Sequence, residues 1–193
     1  MNHPAVVILI VAVVVVAAAV AYYYSRQRRS KLLREHFGPE YVRVLNKERS
    51  VRRAEGVLEF REQAREALDI RPLSPEDQAN FAGQWNAVQR QFVDDPSGTV
   101  LEADRLVNQV MATRGYPLAN FEQRAELLSV DHPVVVQNYR AAHEIAQRQT
   151  QKKATTEDLR KAMVYYHSLF NELLKDAPTE QKHAVIERKE AHG

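Results

Sequence analysis

Hydrophobic positions are distributed along this chain in two different ways. From Ala5 to Tyr24 every residue is apolar or aromatic, whereas further on apolar residues recur at helical spacing among charges. The segment Pro4–Tyr24 reads PAVVILIVAVVVVAAAVAYYY, and no charged side chain occurs from Met1 through Ser25. At about 1.5 Å per residue these residues reach roughly 31 Å, one bilayer hydrocarbon core. Backbone at that depth must satisfy its own hydrogen bonds, so the run is expected to be a transmembrane helix despite its β-branched valines. Tyr22, Tyr23 and Tyr24 stand where an aromatic belt belongs, followed by Arg26, Arg28, Arg29, Lys31 and Arg34 with no acid among residues 25–34. Basic residues on that side predict a single-pass anchor with its N-terminus out and its C-terminal part cytoplasmic. The alternative is a cleaved signal peptide, for which Ala19-Val20-Ala21 resembles a cleavage site. Against it stand the long apolar run and the absence of Lys or Arg before it. Ala17 and Ala21 form a small-xxx-small pair, a weak signal for helix pairing.

The helix is expected to continue through Lys31-Leu32-Leu33-Arg34 and to stop at Gly38-Pro39, with Pro39 opening the next one. From Glu40 to Leu68 the chain is charge-dense. Val44, Val51 and Leu58 recur every seven residues with Ala54 and Leu68 near the same seam, until Arg61, Glu62 and Arg65 interrupt it. That falls short of a sustained coiled coil and predicts a charged helical stalk, either one helix or two with a break near Asn46–Ser50. Ile70-Arg71-Pro72-Leu73 reads as a linker. Ser74-Pro75-Glu76-Asp77 is a helix start, with Ser74 as cap, Pro75 at the first position and two acids at the positive dipole end.

Phe81, Trp85, Val88 and Phe92 then form one apolar face. Asp94–Gly98 separates that helix from one with Val100, Ala103, Leu106, Val107 and Val110 inside, closed by Gly115 and Tyr116-Pro117. Phe121, Ala125 and Leu128 mark a short helix. Asp131-His132-Pro133 reads as a turn with Asp131 capping a helix lined by Val135, Val136, Tyr139, Ala142, His143 and Ala146. Gln147–Ala154 reads as a polar connection, Thr155–Asp158 as a capping box, and Leu159, Ala162, Met163, Tyr166, Leu169, Phe170 and Leu173 as the last core stripe. No segment alternates with period two. The expected fold is all-α: a transmembrane helix and basic juxtamembrane segment (1–36), a charged stalk and linker (37–71), a bundle of about five helices (72–177) and a polar tail (178–193).

Composition sharpens this picture. Hydrophobic residues make up 45% of the 193 residues, but outside residues 5–24 the share falls to about 39%, thin for a globular domain and too high for a disordered one. Residues 26–71 carry 13 basic and 8 acidic residues, against 14 and 17 in residues 72–193. A basic membrane-proximal part therefore precedes a mildly acidic distal one.

The strings Phe37-Gly38-Pro39-Glu40-Tyr41, Arg71-Pro72-Leu73-Ser74-Pro75-Glu76, Phe92-Val93-Asp94-Asp95-Pro96, Arg114-Gly115-Tyr116-Pro117 and Ser129-Val130-Asp131-His132-Pro133 resemble a family of small, uncharacterised bacterial proteins with an N-terminal hydrophobic anchor. The likeness covers roughly residues 30–175. It implies a bacterial source and no activity.

Chemistry is sparse. With no cysteine, disulfides, thiolate metal sites, iron–sulfur clusters and a Cys nucleophile are excluded. There is no Gly-rich phosphate loop, no H-E-x-x-H and no G-x-S-x-G. His132, His143 and His167 are candidates for a metal or acid–base site inside the bundle, with Asp131 and Glu144 nearby and His143 three turns beyond His132. His143 and His167 lack the carboxylate at i+3 or i+4 spacing that such sites use, and structural histidines are the plainer reading. Glu180-x-x-His183 has di-iron spacing but occurs once. Arg49, Arg52 and Arg53 alternate with Glu48, Glu55 and Glu59, which reads as a solvated stalk rather than a nucleic-acid surface. No cofactor and no nucleic-acid partner are expected. The expected partners are the bilayer with its anionic headgroups and an unidentified protein, with self-association open. The expected role is a non-enzymatic scaffold or adaptor at the cytoplasmic membrane face. The alternatives are a metal-binding or enzymatic bundle, and a secreted or periplasmic protein freed by signal cleavage.

Overall fold

The structure, a computed structural model, describes residues 3–117 and 120–175, with side-chain surroundings from residue 11 onward. Among the described residues there are eight helices and no strand: α1 (His3–Phe37), α2 (Pro39–Glu48), α3 (Val51–Glu66), α4 (Pro75–Gln91), α5 (Pro96–Thr113), α6 (Phe121–Asp131), α7 (Val135–Thr150) and α8 (Thr156–Lys175). The all-α expectation holds, and the five helices from α4 to α8 are those the apolar stripes predict. The chain divides into two compact units, Met1–Glu59 and Phe60–Gly193, with the division inside α3.

In the first unit α1 runs without a break from the apolar segment into the basic one. Gly38 stops it at φ 46°, a left-handed conformation that glycine adopts without a Cβ penalty, and Pro39 opens α2. Arg49, also left-handed, separates α2 from α3, so the segment is two helices rather than one. Leu33, Phe37, Tyr41, Val44, Ala54 and Leu58 are buried, whereas Val51, expected on the same seam, is exposed. Val13, Val14, Val15 and Val16 are each 60–62% exposed. Four consecutive residues step about 100° apart and so cover every side of a helix. Among the described residues no helix is long and apolar enough to cross a membrane. The apolar stretch with described side chains, residues 11–24, extends only about 21 Å. The remainder of the predicted span, residues 4–10, lies outside it.

In the second unit α8 packs against α5 and α7, α4 lies on α5 and α6 on α7. Ser74 caps α4 by accepting from the Asp77 N–H at 3.0 Å. Thr155 and Asp158 exchange backbone–side-chain hydrogen bonds at 3.0 and 3.1 Å, the predicted capping box. The end of α5 is a Schellman motif: Tyr116 N–H donates to the Met111 carbonyl and Gly115 N–H to that of Ala112. Gly115 sits at φ 99°, and a Cβ there would collide with the Asp69 carbonyl oxygen. Phe81, Trp85, Val88, Val100, Leu106, Tyr139, Tyr166 and Phe170 belong to one continuous core.

Three local expectations are corrected. Asp131 does not cap α7. It is the last residue of α6, and its Oδ2 accepts from Arg65 Nε at 2.5 Å and from the Tyr116 hydroxyl at 2.9 Å. The nearby cation and phenol claim the carboxylate, and α7 starts from Val134 with no side-chain cap. Gln147–Thr150 is helical rather than connecting, as good helix formers allow, and the reversal comes at Lys152 with φ 55°. Arg61 and Arg65, expected to interrupt a solvated seam, are buried at 4% and 9% exposure. Arg61 donates to Glu126 Oε1 at 2.9 Å and to Ser129 Oγ at 3.3 Å. The planar guanidinium can satisfy several acceptors at once, which is what permits a buried cation here. The polar tail and Glu180-x-x-His183 lie outside the described residues.

Candidate membrane-interface site

The basic turns of α1 follow directly on Tyr22, Tyr23 and Tyr24, all three exposed. Tyr23 and Tyr24 meet edge to face with centroids 6.2 Å apart. Ser25 Oγ donates to the Tyr22 carbonyl, so its hydroxyl is satisfied within the helix. Below the tyrosines the predicted cations separate into two sets. Arg29 Nε pairs with Glu59 Oε1 at 2.6 Å, Lys31 Nζ lies 3.7 Å from Glu35, and Arg34 Nε donates to the Tyr41 hydroxyl at 3.2 Å. The Arg34 guanidinium also lies 5.4 Å from the Tyr41 ring centroid. That hydrogen bond is the main reason its pKa stands above the ordinary arginine value. Arg26 and Arg28 pair with no carboxylate among the described residues and are exposed.

The acids that hold this segment are on α3. Glu55 Oε1 accepts from Ser30 Oγ at 2.6 Å and from the Tyr41 hydroxyl at 3.2 Å. Glu55 and Glu59, four residues apart, share one helix face. Sequence reasoning took both as solvated stalk residues, yet Glu55 is buried. The signal that could have found them was their i, i+4 spacing opposite a basic run. Arg53 Nη2 turns back onto the Glu48 carbonyl.

The three histidines occupy separate surroundings. His132 is the C-terminal cap of α6, so it shares no helix face with His143; it is buried with Nδ1 3.7 Å from Glu172. His143 on α7 stacks on Phe121 with centroids 3.6 Å apart, 3.9 Å from Asp104. His167 on α8 stacks on Trp85 at 5.1 Å. Among the described residues no group of three or more His, Asp or Glu is arranged to hold a metal ion.

The sequence reading missed a polar seam in the bundle. Asp104 accepts from the Tyr166 hydroxyl at 2.9 Å and from Asn108 Nδ2 at 3.2 Å, and Asn108 Oδ1 accepts from the Tyr139 hydroxyl at 3.1 Å. Burial, more than the Asp104 charge, pushes the Tyr166 hydroxyl well above the ordinary phenol value, and burial likewise raises Tyr139. Both phenols therefore act as neutral donors rather than as acids at physiological pH.

Comparison with known protein families, with curated proteins and with solved structures finds no match to this chain.

Proposed function

We propose that this protein is a membrane-anchored helical scaffold or adaptor, with α1 as its retained anchor and the Phe60–Gly193 unit on the cytoplasmic side. The observation that carries this reading is the continuity of α1. Residues 11–24 of α1, apolar on every side and exposed, run with no break through three tyrosines into five basic residues. A helix hydrophobic all round needs an apolar surrounding, and a bilayer supplies one. The charge asymmetry supports the orientation. Tyr22, Tyr23, Tyr24, Arg26, Arg28, Arg29, Lys31 and Arg34 would then stand at headgroup level. A bacterial source belongs to the same proposal and rests on the resemblance of the quoted strings.

A protein partner is supported by the surface of the bundle unit. Phe60 is 68% exposed beside a cleft of about 410 Å³ that Leu68, Pro117 and Leu127 also line. An exposed aromatic at the rim of an apolar cleft is the kind of anchor protein interfaces use.

Two C-terminal fusions test the topology. Green fluorescent protein should fluoresce in the membrane fraction, while alkaline phosphatase should be silent. The reverse pattern sinks the orientation, and mature chains beginning at Tyr22 sink retention in favour of a secreted protein. Crosslinking from intact membranes tests the partner. A crosslinked species should form with the native chain and be lost in Phe60→Glu. Its persistence in that variant would remove the cleft from the interface.

A further inference from the structure

The first unit contains a cleft of about 560 Å³ between α1 and α3, whose lining includes Tyr22, Arg26 and Arg29 from α1 and Arg52, Glu55 and Glu59 from α3. Its volume lies in the range of small-ligand sites, about 300–1,000 Å³. One oxygen of each carboxylate is engaged: Glu59 Oε1 by Arg29 Nε, and Glu55 Oε1 by the hydroxyls of Ser30 and Tyr41. Arg26 and Arg52 line the same cleft from two helices and pair with no carboxylate among the described residues. Three arginines against two glutamates leave one net positive charge. Gly56 lines the cleft with open space beside it, since a Cβ there would meet nothing within 4 Å, so a side chain long enough to fill that space would occupy the cleft.

We propose that this cleft binds the phosphodiester headgroup of a singly charged anionic phospholipid, with Arg26 and Arg52 gripping the phosphate. The inference rests on the membrane reading above, which puts a cleft one turn beyond the tyrosine belt at the depth of lipid phosphates. A single net positive charge matches a phosphodiester better than a doubly charged phosphomonoester. The ammonium of a zwitterionic headgroup meets a cleft of net positive charge, which disfavours it. Arginine is suited to the role because its planar fork matches two phosphate oxygens. Arg52 lies on α3, outside the juxtamembrane run that sets topology, so it would read a headgroup without contributing to the orientation signal. General attraction to an anionic leaflet depends on charge alone; a built cleft depends also on shape, and Gly56 separates the two.

The test uses the full chain in a non-ionic detergent, titrated with dioctanoyl phosphatidylglycerol, dioctanoyl phosphatidylethanolamine and inorganic phosphate and followed by native mass spectrometry and calorimetry. One phosphatidylglycerol should bind per chain, about tenfold or more tighter than either alternative. Arg52→Gln and Gly56→Leu should each weaken it about tenfold, while Arg90→Gln on α4 leaves it unchanged. Circular-dichroism melting confirms that each variant is folded, and Arg52→Gln carries the test if Gly56→Leu is not. Equal binding of phosphatidylethanolamine, equal binding of inorganic phosphate, or native affinity in both variants would each overturn the proposal. Membrane residence is read separately by alkaline extraction. A chain washed from membranes that still binds phosphatidylglycerol would sink the anchor and leave the cleft; a retained chain with unaltered variants would sink the cleft and leave the anchor.

Discussion

The Tyr166 hydroxyl is where one side chain's environment sets a property of the whole bundle. It is buried, donates to Asp104 across 62 residues of sequence, and has its pKa raised. Tyr139 and Tyr116 are raised too, both chiefly by burial. The unfolded phenol titrates near 10. With the folded value above the unfolded one, the stabilisation from the neutral hydroxyl is complete below about pH 10 and is lost as pH rises beyond it. Thermal melts should therefore show the melting temperature falling above pH 10, and less steeply in Tyr166→Phe. A variant with the native slope would mean that Tyr166 ionises freely. At neutral pH the same substitution should cost about 1–2 kcal/mol, because Asp104 loses a donor. Trp85 is the other decisive residue. It is 3% exposed, stacked on Phe170 at 4.6 Å and on His167. Trp85→Ala should destabilise the protein by about 3–5 kcal/mol in urea unfolding. A change below about 1 kcal/mol would put the indole on the surface.

At the level of elements, most boundaries depend on residues within one turn of the boundary itself. Ser74, Asp95 and Asn120 each accept from a first-turn N–H, and Thr155 closes a reciprocal box. Gly115 does more than end α5. Its left-handed backbone lets the chain pass against the carbonyl of Asp69, and the adjacent Arg114 carbonyl accepts from Arg71 N–H. Gly115→Ala should cost about 1–3 kcal/mol, through both the φ penalty and the collision with Asp69. Chemical denaturation measures this directly, and a neutral result would show that the Asp69 backbone can yield. The beginning of α7 is the exception. Its local pattern points to Asp131 as a cap, but a carboxylate within reach of a buried arginine and a phenol is worth more there than at a helix N-terminus.

At the level of the whole molecule, the last two turns of α3 belong with the bundle's polar contacts. A chain beginning at Phe60 keeps Arg61 and Arg65 with Glu126, Ser129 and Asp131; one beginning at Ile70 leaves those acceptors without their cation. The shorter chain should be less stable by about 1–3 kcal/mol. Equal melting temperatures would show that water replaces the guanidinium groups without loss. The sequence by itself determined the helices of the bundle, their caps and stops except at the two ends of α7, and the apolar faces from Phe81 to Leu173. Each of these depends on residues no more than four or five positions apart, where backbone hydrogen bonding and helical period act. It also placed the tyrosines and cations along α1. Only the tertiary structure decided which polar residues are buried and with whom: Arg61 with Glu126, Arg65 with Asp131, Tyr166 with Asp104, Arg114 with the Leu173 carbonyl, Ser30 with Glu55. These partners lie 25 to 66 residues apart. A charge or hydroxyl can leave water only when a complementary group arrives from another element, and no local pattern records that arrival.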